Sequence, residues 1–216
     1  MKANSNTSSG NALIIGSVML IVTMVLHPSG GSIDYMRRII PMIIISHTIA
    51  MLSMPLLVLG FRRLTQILDN QWLLAKIAFI YICFALLTGL IAASLNGIAI
   101  PLLINAIKSP INNDAPVVKM FFTYNGILNQ AFDYVFIGGL ICATGIWSIA
   151  IIRAKILPSW VGFLGIGLIL IVFIPVVSGS SIVHLNGFRL FILGFTLWSI
   201  IVGTLLKRIS VAFNII

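Results

Sequence analysis

Residues 39–61 read IIPMIIISHTIAMLSMPLLVLGF and run directly into Arg62-Arg63. His47 is the one ionisable side chain in that stretch. The run shows no alternation of apolar and polar residues, so it is not a strand with one solvated face. It has the length of a membrane-crossing helix, for which about 20 apolar residues suffice. The arginine pair then reads as an anchor at the polar boundary. The whole chain follows the same pattern. Hydrophobic residues make up 60% and charged residues 8%, with a mean hydropathy of +1.16. A soluble domain carries roughly a quarter charged residues, and no soluble fold covers this much apolar side chain. Within a bilayer only helices and closed barrels satisfy the backbone. Barrel strands alternate, whereas the apolar runs here are continuous over about 16 to 24 residues. The expected fold class is all-α, a polytopic membrane protein.

On either side of residues 39–61 the chain divides into further apolar runs. The first spans Asn11 to His27 and stops at Pro28-Ser29-Gly30-Gly31; it reads as a retained helix rather than a signal peptide. The third begins near Trp72 and stays apolar to about Ile107, interrupted by Asn96-Gly97 and Pro101. Lys108 to Pro116, with two prolines and two asparagines, is the clearest turn region. The fourth run is Val117 to Ile152, the fifth Trp160 to Val177 and the sixth Asn186 to Leu206. The expectation is one bundle of six transmembrane helices over residues 11–208. Residues 1–10, rich in Ser and Asn, are expected to be a disordered cytoplasmic tail, and 209–216 a short cytoplasmic tail. Runs three and four are each about 35 residues, near 50 Å as straight helix against about 30 Å of hydrocarbon. They should therefore break, at Asn96-Gly97 and Gly138-Gly139, or protrude as a hairpin on the outer side.

The net charge of +9 does not indicate nucleic acid. The thirteen basic residues sit in short groups at the ends of apolar runs, as topology signals and headgroup contacts do. With six spans, Lys2, Arg62, Arg63, Lys76, Arg153, Lys155, Lys207 and Arg208 fall on one side. Arg37, Arg38, Lys108, Lys119 and Arg189 fall on the other. The richer side is cytoplasmic by the positive-inside rule, which puts both termini there and the protein in the cell membrane. Cys83 and Cys142 fall inside spans with no CxxC pair and read as packing residues.

The acids are only four: Asp34, Asp69, Asp114 and Asp133. Asp133 alone lies within an apolar run, where a carboxylate is costly and marks function by default. Asn125 and Asn129 precede it at spacings of four, on one stripe of a helix. Counting about 20 residues back from Arg153 puts Asp133 at the outer boundary of the hydrocarbon. The same count forward from Trp72 puts Asn96 at that height. His47 stands about 20 Å above the inner face. His27, His184 and Arg189 flank the outer ends of spans. The candidate ligand-binding set is therefore Asp133, Asn129, Asn125, His47, Asn96, Arg189 and His184. The asparagines either line a hydrated pocket or tie helices together. Arg189 is the counter-ion of Asp133, a contact for an anionic group, or a snorkelling residue. His27 and His184 otherwise read as boundary residues. There is no HxxxH or HExxH, and each histidine is on a different segment, so no metal site and no cofactor are expected. No catalytic residue is assigned.

One segment resembles a known family. Ile151-Ile152-Arg153-Ala154-Lys155-Ile156-Leu157-Pro158-Ser159-Trp160-Val161-Gly162-Phe163-Leu164-Gly165, within Gly138 to Gly167, resembles the arginine, leucine-proline, glycine turn between two late spans of uncharacterised bacterial membrane proteins, the domain of unknown function 4386. The resemblance implies a bacterial inner-membrane protein of six or seven helices. It carries no catalytic residues.

Three functions fit these features. One is a membrane protein whose outward-facing polar pocket binds a small molecule or lipid, as a transporter or sensor component. The second is a subunit or stabilising partner of a larger membrane complex. The third is an intramembrane enzyme, with or without a metal. The partners expected are membrane lipids, a small-molecule or lipid ligand and other membrane subunits, with no nucleic acid.

Overall fold

The computed structural model describes residues 2–28, 31–106, 116–177 and 185–212. These are helical almost throughout, with no strand among them. The helices are α1 (Lys2–Leu26), α2 (Ile33–Arg38), α3 (Ile40–Ile67), α4 (Trp72–Ser94), α5 (Ile100–Ala106), α6 (Pro116–Ala154), α7 (Ser159–Val177) and α8 (Leu185–Ala212). A single π turn, Leu95–Ala99, joins α4 to α5. Five continuous helical segments are long and apolar enough to cross a membrane: Ser5–Leu26, Ile40–Ile67, Leu73–Ala106, Pro116–Ala154 and Gly187–Ile209. A shorter apolar helix, Ser159–Ile171, accompanies them.

The long helices close into a ring. α1 packs on α3, α3 on α4, α4 on α6, α6 on α7, α7 on α8, and α8 back on α1. Neighbours run antiparallel. Gly10 near the start of α1 lies against Gly203 near the end of α8, and Leu13 of α1 lies against Gly60 of α3. His27, just past the other end of α1, meets His47 of α3. At Gly10 and Gly203 a Cβ would collide with the opposing backbone, so the missing side chains set the close approach of α1 and α8. The start of α1 and the end of α8 accordingly lie at one end of the ring, termed here the terminal end.

Side-chain polarity is distributed as a membrane requires. The outside carries exposed Ile15, Ile44, Leu52, Leu59, Phe84 and Leu164, while Ser46, His47, Ser53, Thr144, Ser148 and Ser199 are buried inside. In a soluble bundle such hydroxyls would face water. The interior towards the terminal end is filled by Phe61, Trp147, Phe195 and Trp198, all at most 1% exposed. Phe61 stacks on Trp147 at 4.7 Å between centroids and lies 5.8 Å from Phe195 and 6.4 Å from Trp198. Trp198 Nε1 donates to the Val161 carbonyl at 3.0 Å, tying α8 to α7. This plug, drawn from α3, α6 and α8, closes the ring on that side.

The sequence reading needs one correction. Residues expected to be a disordered tail continue α1 back to Lys2. Asn6 is buried and accepts a hydrogen bond from Arg63 Nε, and Gly10 packs on α8, so tertiary contacts hold the polar turns in the helix. At the other end α8 runs on to Ala212, into the first residues of the 209–216 tail. Of the two alternatives for run four, a break at Gly138-Gly139 is absent: α6 is one unbroken helix of 39 residues. Gly139 instead gives α6 close contact with Ala85 and the Tyr81 carbonyl of α4, a packing role that leaves the helical bonds intact. At about 1.5 Å per residue, α6 is nearly twice the thickness of a hydrocarbon core. The other expected break does exist, as the π turn containing Asn96-Gly97. Pro101 explains it: its ring needs room at the carbonyl four residues back, and it offers no N–H to that group. The widened turn supplies the room and steers α5 towards α2 and α3. The Lys108–Pro116 turn lies outside the described residues except for Pro116.

Candidate functional site

On the far side of the aromatic plug the ring encloses a cavity of about 260 Å³. Five of the six ring helices or their ends line it, among the described residues. α1 and its end give Thr23 and His27, α3 gives His47, the π turn gives Asn96, and α6 gives Asn129 and Asp133. Those side chains form a polar wall. The rest of the lining is mostly apolar, including Leu20, Met54, Phe132, Phe136, Phe188 and Ile192. Phe136 and Phe188 approach to 6.1 Å between ring centroids and bridge α6 and α8.

The polar wall is a directed hydrogen-bond ladder. Asn125 Nδ2 donates to Asn96 Oδ1 at 3.3 Å, Asn96 Nδ2 to Asn129 Oδ1 at 2.6 Å, and Asn129 Nδ2 to Asp133 Oδ2 at 3.2 Å. A carboxylate only accepts, so it orients the Asn129 amide, and each amide then orients the next. Bonds aligned in one direction polarise one another. The four-residue spacing puts Asn125, Asn129 and Asp133 on one face of α6, and the π turn brings Asn96 across from α4 to close the ladder. Asn96 Nδ2 also reaches the Ala92 carbonyl at 2.9 Å. Gly97 lets the π turn lie directly on His47, since a Cβ there would run into the histidine side chain.

The histidines form a second group, their ring centroids 5.1 Å apart. His47 Nδ1 donates to the Ile43 carbonyl at 2.7 Å, with Ser46 Oγ at 3.2 Å. His27 Nδ1 donates to the Pro28 carbonyl at 3.0 Å. A carbonyl accepts only, so Nδ1 carries the proton in both rings, and Nε2 of each neutral ring is an acceptor. Burial, then the adjacent His47, then Arg189 lower the pKa of His27 from 6.5 to about 4.

The sequence candidates thus separate. His47, Asn96, Asn129 and Asp133 line the cavity, and Asn125 joins through Asn96. Arg189 is not its liner and forms no ion pair with Asp133 among the described residues. Its Nη2 donates to the His27 carbonyl at 2.6 Å. There it caps the C-terminal end of α1, where a cation meets the negative end of the helix dipole. His184 lies outside the described residues. Among the described residues no three of His, Cys, Asp and Glu gather to hold a metal ion. His27 and Thr23 also line the cavity, though neither is in the candidate set read from the sequence; the available signal was the shared height of His27 with Asp133. No family model, curated protein or solved structure matches the chain.

Proposed function

We propose that this is a six-span integral membrane protein, with α7 as the fifth crossing, whose ring cavity faces outward and binds a small molecule or a lipid. Its role is that of a transporter or sensor component. The observation that carries the reading is the Asn125–Asn96–Asn129–Asp133 ladder ending in a carboxylate at the wall of a cavity. Helix packing alone would be served by the amides. A carboxylate beside a cavity rather than beside a cation is a costly arrangement that ligand binding explains. The antiparallel ring supports six crossings, and α7, at 19 residues, extends about 28 Å. The bundle has one sealed end and one hollow end, which suits a sensor as it stands. A transporter would have to move the Phe61–Trp147 plug during its cycle. Kinship with the domain of unknown function 4386, and with it a bacterial origin, belongs to the same proposal.

Two experiments test it. Cysteine labelling places the termini: Asn112→Cys should react from outside and Ser210→Cys only after permeabilisation. Labelling of Ser210→Cys from outside inverts the orientation. Asp133→Asn keeps the shape and removes the charge. It should abolish binding or transport while leaving expression and melting temperature close to wild type. A variant that retains full activity refutes a functional Asp133.

A further inference from the structure

The hydrogen-bonding groups of the cavity wall are one-sided. Asn96 spends both amide N–H groups, on Asn129 Oδ1 and the Ala92 carbonyl, while Asn129 spends one on Asp133 and keeps one. What faces a ligand is therefore set by Asp133, which only accepts as a carboxylate, and by the two histidines, whose Nδ1–H groups are committed to the Pro28 and Ile43 carbonyls. That leaves the carboxylate and two Nε2 lone pairs, against one remaining N–H on Asn129. No lysine or arginine is among the described lining residues, although the chain as a whole carries +9. Arg189, in the same end of the ring, donates from Nη2 to the backbone carbonyl of His27. The lining also includes the rings of Phe132, Phe136 and Phe188, which attract cations as well as apolar groups.

We propose, resting on the pocket reading above, that the cavity takes an organic primary ammonium with a small apolar body. An ammonium has three donors and no acceptor, matching a carboxylate and two imidazole nitrogens. Its apolar body sits against the phenylalanines. The volume of about 260 Å³ lies just under the range of about 300 to 1,000 Å³ for drug-sized ligands, so the ligand is small or only its head enters. An anion would meet the carboxylate without a compensating cation. A neutral alcohol would satisfy one acceptor and leave the others unpaired.

The test uses the full chain in lipid nanodiscs, with empty discs as baseline and titration calorimetry as readout. The probes are phenethylammonium, its neutral analogue 2-phenylethanol and the anion phenylacetate. Phenethylammonium should bind at least about tenfold tighter than the alcohol, as charge-assisted hydrogen bonds imply, and phenylacetate weakest. Asp133→Asn should erase the preference for the ammonium and leave the alcohol unchanged. Tighter binding of phenylacetate, or ammonium binding indifferent to Asp133→Asn, overturns the amine assignment and leaves the pocket standing. No saturable binding by any probe to folded protein overturns both. Should Asp133→Asn fail to fold, Ala50→Phe fills the cavity without touching the ladder. It should abolish ammonium binding, and retained binding overturns the site.

Discussion

Asp133 has no ion-pair partner among the described residues and is held by an amide from its own helix. That is why single side chains are informative here. Gly97 is the clearest structural example. It is buried, and the space its side chain would occupy is taken by His47. Gly97→Ala should destabilise the fold by about 1–3 kcal/mol, the usual cost of overpacking, and pull Asn96 off Asn129. Thermal or denaturant unfolding would register it, and an unchanged midpoint would mean that the π turn does not lie on α3 as described. His27 supplies a pH prediction. With its pKa lowered to about 4 by burial, its imidazole stays neutral from pH 8 down to about pH 5. The unfolded ring, with its ordinary value of 6.5, gains a proton first as pH falls. The folded state therefore loses stability between pH 6.5 and 4 on this account, and none is lost above 6.5. Nitrogen chemical shifts of His27 should be flat between pH 8 and 5; a midpoint near 6.5 contradicts its burial.

At the scale of elements, the helices were legible because apolar continuity is a strong signal, and the stripe of Asn125, Asn129 and Asp133 followed from helical spacing. Depth counting also put Asn96 at the height of Asp133, and the ladder joins them. Element ends were less legible. Polar residues 2–10 gave no local reason to continue α1, and only the Asn6–Arg63 bond and the packing of Gly10 on α8 supply one. Nor does a Gly-Gly pair announce whether it breaks a helix or brings it close to a neighbour; Gly139 does the second. The π turn shows the reverse case, where Pro101 tells of an irregularity but not its form. Replacing it should restore a regular helix and rotate Asn96 away from α6. The double variant Asn96→Cys/Asn129→Cys should cross-link readily with Pro101 present and poorly after Pro101→Ala. Equal cross-linking in both backgrounds would detach the π turn from the ladder.

For the whole molecule, the ring has a filled end and a hollow end; the polar residues of the hollow end share a height legible in the sequence, whereas the filled end was not indicated. Aromatic residues at 61, at 147 and at 195 and 198 come from three distant parts of the chain, and periodicity alone does not say that they meet. Phe61→Ala should cost about 3–5 kcal/mol, as deletion of a large core aromatic does, a loss that denaturant unfolding would detect. A small effect would mean that the plug collapses to fill the space. The hollow end is the more consequential half, and reagent access measures it directly. In a background lacking Cys83 and Cys142, Ala93→Cys in the cavity wall should react with a membrane-impermeant thiol reagent added outside. Phe84→Cys on the lipid face should not, and Ala50→Phe should protect Ala93→Cys. Reaction of Ala93→Cys only from the cytoplasmic side, or from neither side, would contradict an outward-facing cavity at Asp133.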